Sequence, residues 1–202
     1  MKAIEPLMTE TRGPSPDVIE VLMREHQRFA KLLGLLEAEV RRFGKGAEPD
    51  YELLQDIFFY MTKYPDRFHH PIEDLAFAEI AQRAPAARRH VEELRRQHRM
   101  IADRGTQFIE RLERALGGGI VRREAIEAPA LDYIALYREH MALEAKELFP
   151  LGRTHLQATD WERFRATIKP EDDPVFGHAL AEEYRNLHRQ IAAWADCGCA
   201  PQ

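Results

Sequence analysis

The segment Phe68-His69-His70-Pro71-Ile72-Glu73-Asp74 sets two imidazoles and two carboxylates among Phe58, Phe59, Met61, Leu75 and Phe77. Ionisable side chains in so apolar a stretch lose hydration on folding, a heavy loss unless a partner compensates it. A metal ion is a partner that both kinds of group share. On a helix His69 and Glu73 form an i, i+4 pair, one turn apart on the same face, able to reach one metal or two adjacent ones.

The pairing recurs at His140 and Glu144, and His26 and His98 stand within apolar stripes of their own. A lone histidine on an apolar face is ordinarily a hydrogen-bonded core residue. Four of them together with two carboxylates, buried without a cation, would cost several kcal/mol per group. Imidazole and carboxylate without thiolate suit iron, manganese or zinc, and two carboxylates able to bridge favour a metal pair, with two non-haem iron ions as the leading identity. A ferritin-like site would need Glu-x-x-His on two helices, and no histidine here has a Glu three residues before it.

The elements that must position these groups are long helices. Ser15-Pro16-Asp17 reads as a helix start, and the helix is expected to run to about Phe43, with Ile19, Leu22, Met23, Phe29, Ala30, Leu33, Leu36 and Val40 as its stripe and His26 inside it. Gly44-Lys45-Gly46 ends it. A second helix is expected from Asp50 to Arg83, kinked or broken near Tyr64-Pro65 because Pro65 and Pro71 each remove a donor and crowd the carbonyl four residues back. His69 and Glu73 fall on its inward stripe, and His70 and Asp74 about 100° away, at its edge. A third helix, Pro85 to Leu116, carries Val91, Leu94, Ile101, Phe108, Leu112, Leu116 and an inward His98. A fourth begins near Arg122 and puts His140 and Glu144 on the face of Ile134, Tyr137, Met141, Leu148 and Leu151.

Beyond Pro150, Thr159-Asp160-Trp161-Glu162 has capping-box spacing and opens a short helix to about Ile168. A last helix is expected from His178 to Ala195, with Leu180, Tyr184, Leu187, Ile191 and Trp194 buried. The expected fold is all-α: a leader over residues 1–14, an antiparallel four-helix bundle over 15–156, additional C-terminal helices over 157–196, and a Cys-Gly-Cys tail over 197–202.

Composition narrows the class. The chain of 202 residues is 45% hydrophobic and 31% charged, which is ordinary for a folded soluble domain. A formal net charge of -5, with Lys and Arg interspersed among Glu, leaves no basic stripe for nucleic acid or a membrane surface. There is no signal peptide and no apolar run of about 18 residues, so a cytoplasmic location is expected. The two cysteines, Cys197 and Cys199, lie in the last six residues and build no disulfide framework.

Glu25-His26, His69-His70-Pro71-Ile72-Glu73-Asp74, Gln97-His98 and His140-Met141-Ala142-Leu143-Glu144 with Leu148-Phe149-Pro150, in that order and spacing, resemble hemerythrin-like proteins with the HHE cation-binding domain. The resemblance spans about residues 17 to 156. It implies that Glu73 and Glu144 bridge two irons, with His26 and His69 on one and His98 and His140 on the other. Oxygen-carrying hemerythrins have a further histidine where Leu94 stands, and their fourth-helix carboxylate falls where Ala145 stands. His70 or water would then complete the coordination of one metal.

The resemblance implies a protein that binds or responds to oxygen, nitric oxide, peroxide or iron. The alternative is an enzyme that activates oxygen or peroxide, or donates iron for repair of iron centres; a helical module with one structural zinc is a third reading. His90 is about 12 Å along its helix from His98 and reads as a surface residue. Glu147 reads as an exposed charge or a supporting group near the metals, and His155, His178 and His188 as surface or packing residues.

Overall fold

Ile19, Leu22, Phe29, Leu33, Leu36 and Val40, with His26 between Leu22 and Phe29, recur every three or four residues and form the inward face of α1, Val18–Gly44, in a computed structural model of the chain. The structure describes residues 18–119, 121–168 and 172–196. The leader, the start signal at residues 15–17 and the Cys-Gly-Cys tail lie outside them. Just past α1, Gly46 takes a φ of 102°, a left-handed conformation that suits a residue without Cβ. The Asp50 carboxylate then accepts from the Leu53 N–H at 2.9 Å and caps the next rod.

That rod comprises α2, Tyr51–Tyr64, a π-helical turn, Pro65–His69, and α3, His70–Arg83. A 3-10 turn, Pro85–Ala87, leads into α4, Arg88–Leu116. The fourth rod repeats the plan of the second: α5, Glu124–Leu143, a π turn, Glu144–Leu148, and α6, Phe149–His155. Each rod packs against the next, and the fourth closes on α1, giving an antiparallel four-helix bundle. Among the described residues there is no strand, and no helix is long and apolar enough to cross a membrane.

The irregularity expected near Tyr64-Pro65 as a kink or a break is a widened turn in a continuous rod. Both π turns end two residues before a proline, His69 before Pro71 and Leu148 before Pro150. A proline cannot bond the carbonyl four residues back and its ring crowds it, so the backbone takes one extra residue just upstream. The His70 N–H accordingly bonds Pro65 O, and the Phe149 N–H bonds Glu144 O, each spanning five residues.

Two further helices follow. α7, Ala158–Thr167, docks on α3 through Arg83, whose guanidinium donates to both Asp160 carboxylate oxygens at 2.6 and 2.9 Å. Its capping box is formed by Gln157 and Asp160 rather than Thr159 and Glu162, because Arg83 fixes the Asp160 carboxylate where it also accepts from the Gln157 N–H. The last helix, α8, Arg185–Asp196, packs on α1 and α2 and starts later than His178. The Asp172 carboxylate, accepting from the His178 and Ala179 N–H groups, holds that stretch as a loop and leaves Leu180 exposed. Met23 and Leu116 are also exposed: Met23 is one position outside the α1 stripe, and Leu116 stands at the very end of α4.

The core is two apolar clusters. One contains Phe29, Leu36, Phe58, Met61, Ile101, Phe108, Tyr133 and Tyr137; the other contains Ile19, Leu22, Ala76, Phe77, Leu94, Leu148 and Phe149. On every rod the change from one cluster to the other falls at a histidine: between Leu22 and Phe29, Tyr64 and Ala76, Leu94 and Ile101, Tyr137 and Leu148. A polar layer therefore lies between the two apolar clusters.

Candidate metal centre

All seven residues singled out in the sequence, His26, His69, His70, Glu73, His98, His140 and Glu144, meet in that layer. Glu73 and Glu144 are fully buried, and His26 is the least covered imidazole, with 11% of its side chain exposed. His26 Nε2 lies 3.1 Å from His69 Nε2, and Glu73 Oε1 is 3.4 Å from the first and 3.1 Å from the second. Glu144 Oε2 reaches the same group, 3.3 Å from His26 Nε2. The other oxygens face the other side. Glu73 Oε2 is 3.6 Å from His98 Nε2, while Glu144 Oε1 is 3.7 Å from His98 Nε2 and 3.2 Å from His140 Nε2. His70, Glu73, His98 and His140 each offer one donor atom within 4.8 Å of the rest.

His70 is thus interior, 4% exposed, and not at the edge of its helix. The π turn accounts for the difference. A wider turn advances each residue through a smaller angle, so two neighbouring side chains at its end diverge less than on an α-helix. Both His69 and His70 point inward, and His70 stacks on His98 with ring centroids 4.3 Å apart. Leu94 packs in the smaller apolar cluster; Ala145 is exposed, and the inward position of its turn belongs to Glu144.

Four imidazoles are oriented from behind. His69 Nδ1 lies 2.7 Å from Glu25 Oε2, His70 Nδ1 2.9 Å from Asp66 Oδ1, His98 Nδ1 3.2 Å from Asp74 Oδ1 and His140 Nδ1 3.3 Å from Gln97 Oε1. An acceptor on Nδ1 puts the proton there and turns Nε2 inward as a lone-pair donor. The sequence carried a faint signal for Asp66, four residues before His70. Glu25 and Gln97 directly precede histidines, but only the packed bundle shows that each serves a histidine of another rod.

The donor set fits cations better than it fits itself. Both oxygens of Glu73 and of Glu144, His98 Nε2 and His140 Nε2 are buried without a hydrogen bond among the described residues. His140 Nε2 is 3.2 Å from Glu144 Oε1, yet the two are misaligned for an N–H···O bond. Donors about 2.1 Å from a shared ion stand roughly 3 Å apart when adjacent, close to the spacings seen here.

Protons partly compensate the site in its ion-free form. Burial pushes the His69 and His98 pKa values down, but carboxylates outweigh it: Glu73 and Glu25 lift His69 to about 10, and Asp74, Glu144 and Glu73 lift His98 to about 11. Burial, with charge on neighbouring imidazoles, drives His70 and His140 well below the usual histidine range. Burial also raises Glu144, with the Glu73 charge adding to it, while burial of Glu73 is outweighed by His69 and its neighbours, which hold it low. Two imidazolium charges occupy the role that a metal would fill.

The remaining histidines lie elsewhere. His90, 40% exposed at its side chain, is 3.8 Å from Glu147, which also meets Lys146; none of these enters the cluster. His178 and His188 are exposed, and the His155 carbonyl accepts from Arg83 at 2.6 Å.

Fold and site together define an all-helical bundle closed around a buried layer of imidazoles and carboxylates. The profile of the Hemerythrin HHE cation binding domain matches residues 17–152, a span that holds the whole cluster, and the chain belongs to that family. No curated protein matches the chain.

Proposed function

We propose that the cluster holds two non-haem iron ions and takes up a small ligand, oxygen, nitric oxide or peroxide. One observation carries the reading: Glu73 and Glu144 each turn one oxygen to a group of two imidazoles, His26 and His69, and the other toward a group of three, His70, His98 and His140. Carboxylates presented to both sides serve a pair of ions, and a nitrogen-oxygen donor set without sulfur suits iron. Iron held this way supplies a redox-active Lewis acid.

The chain's own residues do the rest. Glu25, Asp66, Asp74 and Gln97 fix the imidazole rings, and the two apolar clusters exclude bulk water. Five imidazoles and two carboxylates are too few donors to fill the coordination of two ions, which leaves positions for the small ligand. Metal analysis and an absorption spectrum of protein purified under controlled oxygen test the proposal. About two irons per chain and a charge-transfer band in the oxidised form are expected. A single tightly held zinc, with no redox response, refutes it.

A further inference from the structure

Along the second and fourth rods the order is the same: larger apolar cluster, histidine, carboxylate, smaller cluster. His69 precedes Glu73 and His140 precedes Glu144 by one turn, so both carboxylates approach from the side of Ala76 and Leu148. The opposite face of the centre is roofed by Phe29 and Tyr137. Phe29 stands edge-on to His69 with centroids 4.9 Å apart, and Phe29 and Tyr137 are 6.0 Å apart. Tyr137 is 1% exposed, and its hydroxyl lies 3.3 Å from His70 Nε2.

His70 Nδ1, held by Asp66, carries the ring proton, so Nε2 offers the lone pair that the Tyr137 O–H meets. That lone pair is also the one His70 would give an ion. When the ion takes it, Tyr137 loses its acceptor while remaining buried, and an unpaired buried hydroxyl is costly. The acceptor left on that face is the small ligand itself.

Resting on the di-iron reading above, we propose that Tyr137 donates a hydrogen bond to the exogenous ligand on the face opposite Glu73 and Glu144, released for that role when His70 gives its Nε2 lone pair to the metal. Tyr137 is then the residue that selects ligands able to accept a hydrogen bond, and Phe29 only limits their size. Tyr133, one turn back along α5, serves as the control: its hydroxyl is buried without a hydrogen-bond partner among the described residues, and its ring is 5.7 Å from that of Tyr137.

The test uses the full chain loaded with ferric iron and azide as the probe, on wild type, Tyr137→Phe and Tyr133→Phe, with iron stoichiometry measured first. Azide should bind Tyr137→Phe about three- to tenfold more weakly, the range of one hydrogen bond. The vibrational frequency of bound azide should shift in D2O for wild type and Tyr133→Phe but not for Tyr137→Phe. Full iron content with equal azide affinity and the same D2O response in all three proteins overturns the role of Tyr137 and leaves the di-iron reading intact. A phenolate-to-iron band in wild type that Tyr137→Phe abolishes also overturns it, since Tyr137 would then be a ligand. Wild type that takes up no iron refutes the di-iron reading and this proposal together.

Discussion

Glu144→Gln should raise the stability of the ion-free protein and shrink the stabilisation that iron adds to it. In the ion-free protein, burial and the Glu73 charge raise the Glu144 pKa from 4.5 to about 8. Holding this carboxyl protonated at pH 7, where that of the unfolded chain is ionised, costs the folded state stability. The native state keeps the proton and the unfolded chain releases it above 4.5, so this group destabilises the ion-free protein as pH rises from 4.5 to about 8. Glutamine resembles the protonated acid without that cost. Ion-free Glu144→Gln should therefore melt several degrees higher at pH 7 and lose that pH slope. Iron then adds less. The charge facing both imidazole groups is gone, and a loss of at least about 100-fold in affinity is expected, the upper range for removing a group that merely supports a metal ligand. At fixed free iron that is about 2.7 kcal/mol of linked stability, or about 5–10 °C less of the rise in Tm that iron confers on a chain of this size. The assay is thermal melting by circular dichroism at pH 7, with chelator and with anaerobic ferrous iron, beside Glu147→Gln, which should match wild type in both. An iron-induced rise equal to wild type, or a lower ion-free Tm in Glu144→Gln, refutes the reasoning.

Two other outcomes follow from the geometry. His70→Ala should lower iron content from about two per chain toward one, whereas His90→Ala should leave it unchanged, as read by metal analysis of purified protein; equal loss in both would move the third helix out of register with the centre. Iron uptake at pH 7 should release roughly three protons, from His69, His98 and Glu144, because ligands bind metal deprotonated. Apparent affinity should accordingly rise with pH, and calorimetry in buffers of differing ionisation enthalpy would show it; heats independent of the buffer would contradict the protonation pattern.

The histidine positions were legible because a period of 3.6 residues assigns a face to each one. His26, His98 and His140 share stripes with Leu22, Leu94 and Tyr137, and nothing in the bundle disturbs that register. His70 was legible as a residue type but misplaced at the helix edge, since the α-helical period fails across the π turn at Pro65–His69. Pro65 and Pro71 signalled an irregularity, but their chemistry is equally compatible with a break, a kink or a widened turn. Glu25, Asp66 and Gln97 could not be assigned a task from spacing alone: an acidic or amide residue beside a histidine is common on solvated faces. Asp173 was missed altogether, although it is buried and receives Tyr60 O–H at 3.0 Å and Arg28 at 3.2 Å, ties between distant segments that local patterning does not encode.

The π turns and the apolar clusters together determine how much of the fold depends on the metal. Straight α-helices through Pro65–His69 would turn His70 toward solvent and leave three inward imidazoles facing the same two carboxylates as His26. With the wide turn, five nitrogens and four oxygens converge, and the ion-free protein must then carry imidazolium charges in its interior. That cost is confined to one layer. The larger cluster, with the stacked Phe58 and Phe108 rings at its centre, lies wholly to one side and is completed by α8. The smaller cluster is built around Phe77, Ile80 and Phe149, and α7 covers it with Trp161 and Phe164. Loss of the ions should therefore loosen α3, α6 and α7 before it disturbs α2, the C-terminal half of α4 or α5, and slow amide exchange should persist longest around Phe58 and Phe108.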